Sequence, residues 1–153
     1  MIVSYIQIIN YFFKKVIKMS SRIVNPKKIF VDKSSLHGLG VFASHKIKKD
    51  EIFEECPVLS LPLSYGDHSN LLLDYRFNWP SGTLEWEEQV VALGYGSLYN
   101  HSENPNAVWK SNYDKRVFEF SALRDIQQGE EILVYYGGDT YWNDGRDFAK
   151  IVS

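Results

Sequence analysis

Residues 98–106 have the sequence LYNHSENPN, and this stretch carries the strongest indication of the fold. Its first two residues end an apolar segment that starts at Val90. Asn100, His101 and Ser102 follow, and the stretch closes in an Asn-Pro-Asn turn. An apolar segment that leads into an amide and an imidazole predicts polar side chains held at the end of a buried element. In isolation a simple hydrogen-bonded turn is the favoured interpretation, and both stay open here.

His101 and Ser102 also suggest a nucleophile beside a base. We discount this interpretation because adjacent residues seldom direct their side chains at each other and no Gly-x-Ser-x-Gly elbow is present. Cys56 could act as a nucleophile with His101, but no family signature surrounds it.

Two further stretches are candidates for a functional role beyond holding the fold. Residues 37–42, HGLGVF, place a Gly-x-Gly pair between two apolar runs, where the backbone can approach a neighbour closely. A tight β-turn is the favoured interpretation of the pair. The stretch is not a phosphate loop, since no third glycine follows and no Lys-Ser/Thr pair closes it. Residues 129–138, GEEILVYYGG, present Tyr136 just before two glycines, so its hydroxyl can face a cleft. The alternative is a buried tyrosine with a satisfied hydroxyl.

The length of 153 residues predicts one domain, and 44% hydrophobic with 24% charged residues is typical of a globular chain. The only cysteine, Cys56, allows neither an internal disulfide nor a cysteine-rich zinc cluster. The four histidines are scattered through the sequence, so we expect no metal site.

The net charge of −2 hides a strong asymmetry. Residues 1–49 contain ten Lys or Arg and one acid, a net +9, whereas residues 50–153 contain seven Lys or Arg and eighteen acids, a net −11. The simpler interpretation is two solvated faces. The alternative is an acidic body that attracts a basic substrate. The overall charge gives no support for direct nucleic-acid binding.

The sequence divides into an extension at 1–24, a domain at 25–142 and a short tail at 143–153. Polar residues recur at spacings of three or four through residues 4–18, which predicts an amphipathic helix on a membrane or a partner. The alternative, slightly favoured, is that the extension is not part of the working protein. The segment is too short and too polar to span a membrane, so we do not expect a membrane protein.

Short strand-like runs separated by turn residues fill the rest of the chain. They are residues 28–31, 40–43, 51–54, 58–61, 75–78, 107–109, 116–120 and 132–136. One short helix is predicted over residues 84–93, a hairpin tip over 111–115, and a turn over 127–130 before the last strand. The pattern predicts a mainly β fold without βαβ units or a parallel sheet.

Together and in this order, the three motifs resemble the SET domain of S-adenosylmethionine-dependent protein-lysine methyltransferases. The resemblance runs from about Lys27 to Trp142 and is nearest in look to minimal viral-type SET proteins, which lack zinc-binding flanks. It implies a mainly β fold of small curved sheets, with few short helices. It also implies a pseudoknot, in which the C-terminal segment threads a loop and joins the Asn-His-Ser and Tyr motifs.

The resemblance also implies roles for individual residues. Tyr136 would be the catalytic tyrosine. The residues expected to bind the cofactor are His37, Gly38, Leu39, Gly40, Asn100, His101 and Trp142. The residues expected to line the channel for the substrate lysine are Tyr75, Trp109 and Val134. Two positions depart from the family pattern: many relatives have tyrosine at Cys56 and an aromatic residue at Val134, so the number of methyl groups added stays open.

The implied function is methyl transfer from S-adenosyl-L-methionine to a lysine ε-amine of a histone tail or another basic protein. One alternative is a catalytically inactive SET-like module that binds cofactor or peptide, and another is an unrelated β-rich interaction module. A homodimer stays open, as does the choice between nuclear and cytoplasmic location inside the cell.

Overall fold

The computed structural model describes residues 23, 26–61, 75–80 and 88–137, and no α-helix lies within them. The strands are β1 (Ile29–Lys33), β2 (Leu39–Ala43), β3 (Ile52–Leu61), β4 (Arg76–Trp79), β5 (Glu88–Ala92), β6 (Asn100–His101), β7 (Ala107–Asn112), β8 (Val117–Ala122) and β9 (Leu133–Val134). The prediction of a mainly β fold is therefore confirmed.

The strands form one larger sheet and two small ones. β1 and β2 form an antiparallel hairpin, and five strands form an antiparallel sheet in the order β4-β5-β3-β8-β7. β6 and β9 form a parallel pair. The prediction that no strands pair in parallel is wrong for this pair. Parallel strands normally need a crossover connection, usually a helix. Here the intervening chain forms the β7–β8 hairpin, so no local pattern marks the pairing.

The two predicted runs at 51–54 and 58–61 form the single long strand β3. Residues 52–57 pair with β8, and residues 58–61 pair with β5. Pro57 lies at the point where the pairing partner changes. Proline has no N–H to donate to a strand ladder, so this position accommodates it without breaking the strand.

The predicted helix over residues 84–93 is wrong in its described part, because residues 88–92 form β5. Its Glu, Gln and Leu residues are good helix formers. The strand instead buries Val90 and Ala92, two positions apart, and pairs with β3 on one edge and β4 on the other. Pairing on both edges outweighs a small intrinsic preference for helix.

The core is aromatic and centres on β8. Phe118 and Phe120 are fully buried, in keeping with the alternation of a strand that covers a core. The Trp79 ring lies 5.2 Å from that of Phe118, and the Tyr99 ring stacks on Phe120 at 4.6 Å. Because Tyr99 directly precedes β6, this packing fixes the position at which the polar motif begins.

The strand predicted over residues 132–136 is shorter in the structure, since β9 contains only Leu133 and Val134. The predicted turn at 127–130 is present, with the Glu130 N–H donating to the Gln127 carbonyl at 3.1 Å. The amphipathic segment predicted over 4–18 and the tail at 143–153 lie outside the described residues. In the described part, no helix has the length and apolar character needed to cross a membrane.

Candidate active site

The parallel β6–β9 pair brings two of the three sequence motifs together. Asn100 lies opposite Leu133, and His101 lies opposite Val134. Just beyond β9, the backbone N–H of Tyr136 donates a hydrogen bond to Nδ1 of His101 at 3.0 Å. The Asn-His-Ser and Tyr motifs are therefore neighbours, as the resemblance implies.

The hydrogen bonds of His101 define its tautomer. Nδ1 accepts from the Tyr136 backbone, so it carries no proton in this arrangement. Nε2 then carries the proton and faces the Glu103 carboxylate at 3.1 Å. In this tautomer the imidazole accepts a hydrogen bond from the Tyr136 backbone and holds it in place. It does not act as a base for Ser102, whose Oγ accepts from the Asn104 backbone N–H at 3.0 Å. This agrees with discounting a serine nucleophile.

The third motif, the Gly-x-Gly stretch, meets the other two through Asn100. Nδ2 of Asn100 lies 3.2 Å from the carbonyl of His37 and 3.2 Å from that of Leu39. Gly38 has φ +47, a conformation that L side chains rarely adopt, so glycine is required in this turn. The structure thus brings His37, Gly38, Leu39, Gly40, Asn100 and His101 into one region.

Tyr136 points its hydroxyl to the start of β6. The hydroxyl donates to the carbonyl of Tyr99 at 2.5 Å, and the ring lies 5.4 Å from that of His101. Tyr136 is partly buried, whereas the neighbouring Tyr135 is 41% exposed. The predicted catalytic tyrosine is therefore held at both ends, by its backbone N–H and by its hydroxyl.

A buried carboxylate that the sequence interpretation missed supports Tyr99. Glu54 is 2% exposed; one of its oxygens accepts from the Tyr99 hydroxyl at 2.5 Å and the other from the Tyr95 N–H at 2.8 Å. Burial, followed by the nearby Glu54 carboxylate, raises the pKa of Tyr99 well above its ordinary value, so Tyr99 stays a donor. A Glu-x-Cys run in a strand gives no local signal for this role.

The three predicted channel residues lie in different environments. Trp109 on β7 is partly buried and contacts Phe77 edge to face, with ring centres 5.7 Å apart. Val134 is 2% exposed and belongs to the core. Tyr75, directly before β4, is 38% exposed, and no ring contact joins it to Trp109 in the described residues. Because β9 ends at Val134, strand alternation does not extend to Tyr136, and the channel stays a prediction.

Cys56, the other position that departs from the family pattern, is fully buried. Burial, and then the Glu54 carboxylate, raises the pKa of its thiol, so it remains protonated at neutral pH. Gly96 packs against it so closely that a Cβ there would lie 2.9 Å from Sγ. A nucleophilic role for Cys56 with His101 therefore has no support.

Three polar residues that sequence analysis did not single out complete the site. They are Ser34, Asn106 and Glu131. Asn106 is 2% exposed; it donates to the Glu131 carbonyl and accepts from the Leu133 N–H, each at 2.8 Å, so it holds β9. The sequence feature that could have indicated this role of Asn106 is its position in the Asn-Pro-Asn turn. Trp142 lies outside the described residues. Within the described ranges, no group of three His, Cys, Asp or Glu could hold a metal ion.

Comparison with known families agrees with this geometry. The profile of the SET domain matches residues 38–137 of this chain. The chain belongs to the SET-domain family. A Schizosaccharomyces pombe relative, a histone-lysine N-methyltransferase specific for lysine-37 of histone H3, is 32% identical over 119 residues. The alignment covers 76% of this SET protein and 78% of the relative.

Solved structures also resemble this SET domain. The crystal structure of a candidate histone methyltransferase from Plasmodium falciparum is 38% identical with a TM-score of 0.63, covering 76% of this chain and 98% of that one. A chain from a humanized mutant of the Chaetomium thermophilum Polycomb Repressive Complex 2, bound to an inhibitor, is 25% identical with a TM-score of 0.58. That match covers 72% of this chain and 15% of the other.

Proposed function

We propose that this SET domain transfers a methyl group from S-adenosylmethionine to a lysine ε-amine in a histone tail or another basic protein segment. The enzyme class, protein-lysine methyltransferase, follows from the family and from the 32% identity to a histone-lysine methyltransferase over most of both chains. The observation that carries the proposal is the meeting of three motifs, in which Asn100 binds the Gly-x-Gly turn and His101 binds the backbone of Tyr136.

The polar atoms of this region fit S-adenosylmethionine, the methyl donor of SET methyltransferases. The side-chain oxygen of Asn100 accepts no hydrogen bond from the described part of the chain, so it is available to an ammonium group. A Cβ added at Gly38 would meet nothing within 4 Å, so the turn is open on that side. We assign the methionine end to residues 37–40, Asn100 and His101, and the adenine to Trp142. When bound, the cofactor supplies an electrophilic methyl group on a sulfonium.

The substrate lysine must lose its proton before it attacks. The ordinary lysine pKa of about 10.4 makes the neutral amine cost about 4 kcal/mol near pH 7.4. A narrow aromatic channel disfavours the charged form and lowers this pKa. Trp109 fits such a wall because its side chain is aromatic and partly buried. Its indole N–H is buried without a hydrogen-bond partner in the described part of the chain. That N–H is available to a polar group or a water in the channel.

In this proposal Tyr136 orients the reacting groups and abstracts no proton. Its hydroxyl donates to the Tyr99 carbonyl, which fixes the phenol at the start of β6. The two attachments of Tyr136 restrict its motion before substrate arrives. Such positioning accounts for a large part of many enzymatic rate enhancements.

The charge distribution supports a basic substrate. Residues 50–153 carry a net −11, and the site elements β6 to β9 lie within them. An acidic surface attracts Lys-rich and Arg-rich segments, and salt weakens the attraction. The Schizosaccharomyces pombe relative acts on histone H3, which makes this histone the first substrate to test. A histone substrate also places the enzyme inside the cell, with chromatin.

The test is transfer of radiolabel from S-adenosylmethionine to purified core histones and to arrays of histone-tail peptides. We expect label on a lysine of a histone tail and about 10²-fold slower labelling with the Tyr136→Phe variant. Thermal stabilisation by S-adenosylhomocysteine without any transfer would instead indicate an inactive binding module. If S-adenosylhomocysteine does not stabilise the protein and no label is transferred, the whole proposal is contradicted.

A further inference from the structure

Glu131 lies at the centre of the polar cluster around Asn100. One oxygen of its carboxylate accepts from Asn100 Nδ2 at 2.8 Å, and the other accepts from the Ser34 hydroxyl at 3.0 Å. Gly40 packs directly on the carboxylate, because a Cβ there would lie 2.3 Å from the nearer oxygen. The carboxylate therefore touches β6 and both sides of the β1–β2 turn.

The acceptors around Asn100 determine the orientation of its amide. Nδ2 faces three oxygens, from the carbonyls of His37 and Leu39 and the carboxylate of Glu131. Only a donor is stable among three acceptors, so the nitrogen must lie on this side. The amide oxygen then faces the opposite side, as a hydrogen-bond acceptor. Of the three oxygens, that of Glu131 is nearest and is the only charged one.

Glu131 also stabilises the turn itself through Ser34. The Ser34 hydroxyl oxygen accepts from the Leu36 backbone N–H at 2.9 Å while it donates to Glu131. The Ser34 backbone N–H closes the turn on the Gly38 carbonyl at 2.9 Å. Glu131 thereby positions both parts of the predicted cofactor site, the backbone turn and the amide.

No neighbour among the described residues neutralises the negative charge of Glu131. None of the ion pairs formed by the described residues includes it, whereas Glu130 beside it pairs with Arg124. A charge in this position attracts a cation that approaches the Asn100 oxygen. The cationic group of an amino-acid ligand, its α-ammonium, has the required chemistry.

We propose that Glu131 is a positioning residue for cofactor recognition: it sets the Asn100 amide and the 34–38 turn so that the site selects the ammonium end of an amino-acid-bearing nucleoside. This inference rests on the proposed function. It makes recognition of the amino-acid end, rather than of the nucleoside, depend on Glu131.

The experiment compares two probes, S-adenosylhomocysteine, which has the amino-acid end, and methylthioadenosine, which lacks it. In Glu131→Gln, which keeps the shape and one acceptor but removes the charge, we expect about tenfold weaker binding of S-adenosylhomocysteine by calorimetry. Glu131→Ala, which removes both acceptors, should weaken it further. Binding of methylthioadenosine, and the KM for peptide, should change less than twofold.

Glu130→Gln is the matched control, since Glu130 is adjacent and also partly buried but contacts Arg124 and Asn106 rather than Asn100. It should retain wild-type cofactor affinity. Equal loss for both probes in folded Glu131→Gln would indicate a merely structural role and overturn the inference, and wild-type affinity for S-adenosylhomocysteine would do the same. Where methylthioadenosine binds too weakly to measure, an unchanged KM for cofactor beside a raised KM for peptide overturns it. Failure of the wild-type protein to bind S-adenosylhomocysteine would instead contradict the proposed function.

Discussion

The proposed site has a polar side and an apolar side, and they differ in how their residues are recognised. The polar side is Ser34, the turn at 37–40, Asn100 and Glu131, joined by hydrogen bonds of 2.8 to 3.2 Å. The apolar side is Cys56, Phe77, Trp109 and Val134, which pack with the core. On the polar side each contact requires one hydrogen-bond donor and one acceptor, so few other residue types can replace the ones present. On the apolar side the size and shape of the side chain decide the packing, so we expect substitutions of similar volume to be tolerated.

The largest effect is expected where the two sides meet, at Tyr136. Removing its hydroxyl in Tyr136→Phe should lower methyl transfer about 10²-fold, on the scale of losing one positioned hydrogen-bonding group. Cofactor affinity should be unchanged, because the backbone contact to His101 does not need the hydroxyl. Radiolabel transfer and calorimetry on the same preparation measure the two quantities.

Tyr135→Phe is the control for that variant, because Tyr135 is adjacent and 41% exposed. It should retain nearly full activity. Unchanged turnover in Tyr136→Phe would remove Tyr136 from the catalytic role and would separate the tyrosine motif from the chemistry.

Asn100→Ala and His101→Ala test the polar side alone. Each should weaken cofactor binding about tenfold, because each leaves a partly buried polar group without its partner. For Asn100 these partners are the carbonyls of the 37–40 turn, and for His101 the partner is the Tyr136 N–H. Wild-type cofactor affinity in both variants, measured by calorimetry, would contradict the assignment.

The difference between the two sides also explains what the sequence could predict. Asn100, His101 and Tyr136 were predicted as site residues because the three motifs together resemble the SET domain, whereas each motif alone also fits a turn or a buried tyrosine. Glu54 and Glu131 were missed, since their partners lie far away in the sequence and nothing near them in the sequence distinguishes them from solvated carboxylates.

The fold shows the same limit. Most strand positions follow from local alternation. The helix predicted over 84–93 was wrong over residues 88–92, because pairing with β3 and β4 decides that described part. The resemblance implied that the Asn-His-Ser and Tyr motifs meet, but the parallel β6–β9 pairing was not predicted, since it joins two segments separated by a whole hairpin.

Glu54 acts on Tyr136 through Tyr99, so its variants should have a smaller and mixed effect. Glu54→Gln leaves one oxygen to accept from either the Tyr99 hydroxyl or the Tyr95 N–H, so one buried donor loses its acceptor. We expect the free energy of unfolding to fall by about 1–3 kcal/mol. Turnover should fall several-fold, because the Tyr99 carbonyl that receives the Tyr136 hydroxyl is less firmly held.

Tyr99→Phe removes the same hydrogen bond from the other side and provides the matched control. If the bond is the cause, the double variant should lose much less stability than the sum of the single variants. Additive losses, measured by denaturant unfolding, would show that Glu54 and Tyr99 act independently.

The smallest effect on rate, and the sharpest test of the apolar side, concerns Val134. Val134 replaces an aromatic residue of many relatives, and it is 2% exposed beside β7, the strand that carries Trp109. Valine has no hydroxyl to bind a water or the amine, and it is smaller than any aromatic side chain. A methylated amine then keeps room to rotate its lone pair toward the methyl donor. We therefore expect the enzyme to proceed beyond monomethyllysine to di- or trimethyllysine.

The variants Val134→Phe and Val134→Tyr differ by one hydroxyl and separate its effect from that of size. Both place a larger side chain in a packed core, at a cost of about 1–3 kcal/mol, so folding is checked first. Val134→Tyr should shift the products toward monomethyllysine, and Val134→Phe should shift them less. Mass spectrometry of a peptide over many turnovers measures the distribution. If the wild-type enzyme stops at one methyl group while still active, Trp109 has refilled the space that the small side chain leaves, and Val134→Tyr should then change little.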